Sequence, residues 1–169
     1  MFLLPAVSFA LALFSAPAWG QSANQAFTIE VPQNLNLRPL AGPQTVTHPK
    51  TSADITFADN RWIAISNWRS GATVQFLTIT PFRIVGKPQY ARDVRLTLRP
   101  LMGLGSWTRD VITSQTDYLA GDNTSQVQLH CNRAGLAIIG LDVTFLTGNP
   151  ATLVGGNYEV TVIGTISAN

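Results

Sequence analysis

Two histidines and one cysteine are the residues best suited to chemistry in this chain, and two of them are neighbours, His130 and Cys131. A Cys-His dyad needs the imidazole within hydrogen-bond reach of the thiol. In Val127-Gln128-Leu129-His130-Cys131 the apolar and polar residues alternate. A strand of that pattern sends adjacent side chains to opposite faces. The thiol is therefore expected beside Val127 and Leu129 as a small buried hydrophobe, and the dyad is not expected to form. With one cysteine, no disulfide within the chain can form. His48 lies in Thr47-His48-Pro49-Lys50, far in sequence from His130, so a metal site would need carboxylates from distant segments to converge. Asp110, Asp117 and Asp122 lack the Asp-x-Asp-x-Asp spacing of a calcium loop and read as solvated or turn-forming residues. Gly103-Leu104-Gly105 lacks a third glycine and a following helix, and no nucleophile-elbow or phosphate-loop pattern occurs. The residues point to no catalytic site, no metal and no cofactor.

The remaining candidates are aromatic and cationic. Trp62 and Trp107 sit in strand patterns and are expected to pack, whereas Trp68 and Arg69 fall in the turn Asn67-Trp68-Arg69-Ser70-Gly71. An indole beside a guanidinium there could stack on a sugar ring or anchor a partner, or the indole could close one end of the fold. Trp68 and Arg69 are thus the candidate ligand or partner contacts. Arg95 and Arg99 are expected on a solvated sheet face together with Asp93. Asn123-Thr124-Ser125 matches a glycosylation sequon, which carries weight only in a eukaryotic source.

The elements that must hold these residues are strands. Thr, Val, Ile, Leu, Gly and Asn are abundant and Lys and Glu are scarce, which disfavours helices. Strand-like runs occur at 27–31, 53–57, 61–66, 73–80, 94–99, 107–112, 126–131 and 136–146, with Gly, Pro and Asn between them. Gln33 to Pro43 reads as a loop or irregular edge crossing, Met102 to Ser106 as a flexible link and Thr113 to Ser125 as a polar stretch. From Tyr158 to Ile166 the alternation of Tyr158, Val160, Val162 and Ile166 with polar residues reads as one long half-buried strand on which the sheet is organised. The expected fold is all-β: a single antiparallel β-sandwich of the immunoglobulin-like type with about eight to ten strands.

Phe2 to Phe14 is nearly all apolar, and Ala16-Pro17-Ala18-Trp19-Gly20 supplies small residues before the polar Gln21-Ser22. This reads as a secretory signal peptide over 1–20, leaving one domain over 21–169, although no Lys or Arg precedes the apolar run. The run is short for a membrane span, and none of that length follows. With 11 basic and 9 acidic residues the net charge is +2, too little to argue for nucleic acid. A secreted, periplasmic or cell-surface location is expected.

The ending Thr147-Gly148-Asn149-Pro150 through Leu153-Val154-Gly155-Gly156-Asn157-Tyr158 to Ile166, a Leu-x-x-Gly-x-Tyr turn before an alternating Val/Thr strand, resembles bacterial secreted β-sandwiches. It is similar to the spore-coat-U and fimbrial-subunit-like group and to immunoglobulin-like surface modules. That resemblance implies a surface structural or interaction module without catalytic activity, with a cell-surface protein or a glycan as partner. A carbohydrate-binding module using Trp68 is the alternative. Phe27, Ile29 and Val31 alternate near the mature N-terminus and could serve as a donor strand for self-assembly. The expectation is that Phe27 to Val31 pairs within its own domain and that the protein is a monomer.

Overall fold

The computed structural model describes residues 25–57, 60–99, 102–104 and 107–169. The signal peptide expected over 1–20 lies outside the described residues, as does the end of the link expected over Met102 to Ser106. The chain divides between Val31 and Pro32.

In the unit from Pro32 to Asn169, fourteen strands are described, and no α-helix. They are β1 (Leu35–Pro39), β2 (Ile55–Phe57), β3 (Arg61–Ser66), β4 (Ala72–Thr78), β5 (Phe82–Ile84), β6 (Lys87–Arg92) and β7 (Val94–Leu98). There follow β8 (Met102–Leu104), β9 (Trp107–Val111), β10 (Thr113–Gln115), β11 (Ser125–Cys131), β12 (Gly135–Phe145), β13 (Tyr158–Glu159) and β14 (Ile163–Ala168). The number exceeds the eight to ten expected because β5, β8 and β10 are three residues long, below the length at which alternation is readable, because β1 and the Lys- and Pro-containing β6 are not expected as strands, and because the terminal run is split in two.

Strand β12 is the spine of the larger sheet. Its first half pairs with β3 on one side and β8 on the other, and its second half with β2 and β7. Eleven residues suffice because Ala137, Ile139, Leu141, Val143 and Phe145 all point to the core while Ile138, Asp142 and Thr144 face outwards. Strands β1 and β10 extend this sheet to the order β1-β3-β12-β7-β10, and β14-β4-β11-β9 forms the second; all pairings are antiparallel. A three-stranded sheet, β13-β5-β6, completes the fold. Ala64, Leu96, Leu98 and Ile139 of the first sheet and Val74, Phe76, Val127 and Leu129 of the second form one buried cluster, so this is a β-sandwich. Each such large side chain contributes about 1.5–3 kcal/mol of burial free energy. Phe57 stacks on Phe82 with ring centres 5.9 Å apart, and Phe82 meets Phe145, and Phe145 meets Tyr158, edge to face at 5.2 and 5.3 Å, joining the third sheet to the core.

Several expectations change. The run from Tyr158 to Ile166 keeps its alternation, with even-numbered residues inward, but it is two strands. Tyr158–Glu159 pairs with β5, whereas Ile163–Ala168 pairs with β4 at the edge of the second sheet. The organising element is β12. Gln33 to Pro43 contains a real edge strand, β1, in which Pro39 is tolerated because an edge strand has one side without hydrogen-bond partners. The expected link after Met102 contains β8, whose Gly103 lies so close to β12 that a Cβ there would sit 2.2 Å from the Leu136 carbonyl oxygen. The strand expected over Phe27 to Val31 is not formed: those residues carry no strand, and Phe27, Ile29 and Val31 are 83, 88 and 72 % exposed.

Candidate functional site

The outer face of the larger sheet gathers most of the polar side chains that could act together. On β7, Val94, Leu96 and Leu98 are buried, which forces Arg95 and Thr97 outwards. Register places Thr56, Thr144, Arg95 and Gln115 in one cross-strand row, and Asp142, Thr97 and Thr113 in the next. A shallow cleft of about 270 Å³ lies over Asp54, Thr56, Arg95, Thr97, Asp142 and Thr144.

In and beside that cleft the charges pair, while Arg95 Nε and Arg99 Nε and Nη2 are buried without hydrogen-bond partners. Arg95 Nη2 donates to Asp54 Oδ2 at 2.9 Å, and Arg99 Nε lies 2.9 Å from Asp142 Oδ1, an ion pair without good hydrogen-bond alignment. The Thr56 and Thr144 hydroxyls are 2.9 Å apart, as are those of Thr97 and Thr113. Gly140 makes the Arg99 pair sterically feasible, since a Cβ there would lie 2.8 Å from Arg99 Nε. Both ion pairs keep a quarter or more of their side-chain surface in water, so each contributes under about 1 kcal/mol. Arg95 and Arg99 do sit on one solvated face, as expected. Asp93 does not join their ion pairs. Its carboxylate accepts the Thr116 hydroxyl at 2.7 Å and the Tyr118 backbone N–H at 2.8 Å, fixing the start of the loop after β10.

On the second sheet the alternation of β11 places Cys131 in the core, 0 % exposed, and His130 on the outer face. The two do not meet. His130 instead meets Asp110, because β9 carries a bulge opposite Gln128 and Leu129 that leaves Asp110 free to turn towards it. His130 Nδ1 is 2.7 and 2.9 Å from the two Asp110 carboxylate oxygens, and Gln128 Nε2 donates weakly to the same group at 3.4 Å. The carboxylate thus fixes the Nδ1–H tautomer and leaves Nε2 as an acceptor. Among the described residues no hydroxyl or thiol hydrogen-bonds that nitrogen. The arrangement orients an imidazole but supplies it no nucleophile.

His48 has a different role. Its Nε2 is 2.9 Å from Thr147 Oγ1, and its Nδ1 accepts the Lys50 backbone N–H at 2.9 Å. Thr147 Oγ1 donates to the Ala53 carbonyl at 2.7 Å, and the Thr147 N–H donates to Asp54 Oδ1 at 3.0 Å. Asp54 therefore holds Arg95 with one oxygen and the Thr147 backbone with the other. The two histidines lie in separate settings, and among the described residues no group of His, Cys, Asp or Glu is placed to hold a metal ion. Asp117 and Asp122 exchange backbone hydrogen bonds of 2.8 and 2.9 Å, and their carboxylates accept the Ala120 and Thr124 N–H groups. They form a turn, as the sequence suggests.

Trp68 and Arg69 occupy a tight turn closed by the Gly71 N–H donating to the Trp68 carbonyl at 3.1 Å. Arg69 is exposed at its tip, while Trp68 is half-buried at its base. Gly71, at φ +86°, packs so close that a Cβ would meet the Cys131 carbonyl oxygen at 1.9 Å. Trp62 packs edge-on against Phe76 with ring centres 5.1 Å apart, and Trp107 is half-buried against the core, as expected of both.

Sequence reasoning missed Asp54, Asn67 and Thr147. Asp54 and Thr147 are 93 positions apart, and no periodicity links them. Asn67 carried a turn signal, yet its partners, the Asn34 N–H at 2.6 Å and the Pro32 carbonyl at 2.8 Å, lie more than 30 positions away. Compared with known protein families, with curated proteins and with solved structures, this chain matches none of them.

Proposed function

We propose that this chain is a secreted or surface-associated structural and interaction module that carries out no catalysis. The observation that supports this reading most is that the charged and titratable groups form separate pairs and do not gather round one site. Arg95 is spent on Asp54, Arg99 on Asp142, His130 on Asp110 and His48 on Thr147, while the single thiol is sealed in the core. His130 keeps Nε2 free, but among the described residues no hydroxyl or thiol hydrogen-bonds it, so no nucleophile is set up there. The leader-like residues 1–20 and the alternating terminal run agree with an extracytoplasmic sandwich, whose stability without a disulfide comes from core packing. The immunoglobulin-like and spore-coat-U-like kinship belongs to the same proposal.

The test is localisation together with processing. A tagged copy in its native host is expected outside the cytoplasm, beginning at Gln21, and retained at the cell surface. A cytoplasmic protein that keeps residues 2–14 overturns the reading, as does any turnover activity lost in an Asp110→Asn variant. Glycan binding that disappears in Trp68→Ala replaces it with the carbohydrate-binding reading.

A further inference from the structure

A strand with one wet face alternates apolar and polar residues, whereas a strand covered on both faces reads as a continuous apolar run. Strand β7 and the second half of β12 follow the first pattern, with Arg95, Thr97, Asp142 and Thr144 outwards. Strand β3 and the first half of β12 follow the second. Trp62-Ile63-Ala64-Ile65 and Leu136-Ala137-Ile138-Ile139 are apolar on both faces. Ala64, Ala137 and Ile139 belong to the core and Trp62 packs against it, so Ile63, Ile65, Leu136 and Ile138 face the other way.

Register gathers these side chains into one block. Ile65 is opposite Leu136 and Ile63 opposite Ile138, while Met102 of β8 flanks Ile138 on its other side. Residues opposite one another share a face, so the block runs across three adjacent strands. Its four members on β3 and β12 are half-buried, Met102 is 71 % exposed, and none of the five belongs to the core cluster. The second sheet, through Phe76 and Leu129, and the third, through Phe82, both pack on the core side of the larger sheet. Among the described strands none is layered over the block.

The rim of the block decides what suits it. Exposed Arg38 is opposite Ile63, Arg61 is the next outward residue of β3, and Arg99 lies over Gly140, the next outward position of β12. Arg133 lies in the turn leading into β12. Among the outward residues of β1, β3, β8 and β12 the single carboxylate is Asp142, and Arg99 already holds it at 2.9 Å. A second copy laid face to face would set two arginine-rich rims against each other with no spare carboxylate between them, and like charges disfavour such a contact. We propose that the block is the docking surface for an acidic partner protein, which covers it with an amphipathic helix whose apolar stripe is flanked by Asp and Glu. This rests on the reading of the chain as an interaction module, and names the chemistry of its partner. Strand spacing makes the block about 10 Å wide, which is the width of one helix, and a helix laid on a sheet is a standard way to cover an apolar sheet face. An anionic membrane suits it less, because the block lies in mid-strand on a flat face and four of its five side chains are half-buried.

The test uses the full secreted chain and two synthetic helical peptides with the same leucine stripe, one flanked by glutamates and the other by lysines. Fluorescence anisotropy is expected to show the glutamate peptide binding about tenfold or more tightly than its lysine twin, and less tightly as salt rises. Methyl NMR should confine the perturbed signals to Ile63, Ile65, Leu136, Ile138 and Met102. Ile138→Thr and Met102→Ser should each weaken binding about tenfold, and Arg38→Glu should abolish the preference for glutamate. Met102→Ser leaves no cavity, because Met102 is 71 % exposed, so the test stands even where Ile138→Thr fails to fold. Absence of binding overturns the proposal, as do equal binding of the two peptides, perturbed methyls elsewhere or variants that bind like the native chain. Association with anionic phospholipid vesicles through the same methyls, without peptide binding, makes the block a membrane contact and overturns it. A concentration-dependent dimer that Met102→Ser dissociates makes the occupant a second copy and overturns it too. Peptide binding is read on purified protein and localisation in cells, so failure of this inference and failure of the proposed function are separately visible.

Discussion

His48 Nε2 lies 2.9 Å from the hydroxyl of Thr147, across 99 positions of sequence, and the chemistry of the threonine decides the state of the histidine. Thr147 has one hydroxyl hydrogen and gives it to the Ala53 carbonyl, so the contact requires His48 Nε2 to be the donor. Nδ1 is then the acceptor that the Lys50 N–H needs. The loop before β2 is thereby stapled to the end of β12.

Thr147→Val should therefore destabilise the fold by about 1–3 kcal/mol, because it keeps the shape and strands the His48 N–H and the Ala53 carbonyl without partners. Thr147 is 0 % exposed, so water does not replace the hydroxyl. Chemical denaturation of the two proteins measures the difference, and nitrogen NMR of the native protein should show the Nε2–H tautomer for His48. Equal stability would mean that the staple contributes nothing to the fold.

Cys131 should resist thiol reagents in the native state and label at once on unfolding. It is 0 % exposed on the core side of β11, and its own carbonyl accepts the Asn169 side-chain amide at 2.7 Å. Labelling rates with and without denaturant check this; rapid labelling of the native protein would contradict the burial.

Gly71→Ala should cost more than about 2 kcal/mol, since a side chain there is strained by the positive φ and driven into the Cys131 carbonyl. The turn carrying Trp68 and Arg69 would move with it. Gly121→Ala, with a similar φ of +86° but no atom within 4 Å of the added carbon, separates the two effects and should cost only the conformational part, about 1 kcal/mol.

Trp62→Ala should destabilise by about 2–4 kcal/mol through loss of its packing on Phe76, somewhat below a full core tryptophan because its ring is only partly buried. Gly164→Val should also destabilise, by about 1–3 kcal/mol, because the space it would enter is already filled by Trp62, Leu37 and Phe76. A thermal melt on each variant is sufficient. If Gly164→Val were stabilising, the two sheets would be further apart there than the structure places them.

Strand class and strand facing were legible in the sequence because both are local. Alternation with period two marks β3, β4, β7, β11 and β12 to within a residue or two and assigns the inward faces of β7, β11 and the second half of β12 correctly, down to the separation of His130 from Cys131. Even the split run from Tyr158 to Ala168 keeps the predicted alternation throughout. Which strand lies at the centre and which at the edge could not be read, because strand order depends on pairings between residues far apart. Nothing in the composition of Ile163 to Ala168 distinguishes an edge from a centre, and the structure places it at the edge. Short strands such as β5 and β8 are set by the backbone partners that long-range packing brings to them. Pairings such as Asp54 with Arg95 and Thr147, or Asp110 with His130, follow from register and from the bulge in β9. Phe27 to Val31 shows the limit most directly. Its pattern promises a strand, but a strand exists only where a neighbour supplies hydrogen bonds, and the sequence does not say which chain that neighbour belongs to.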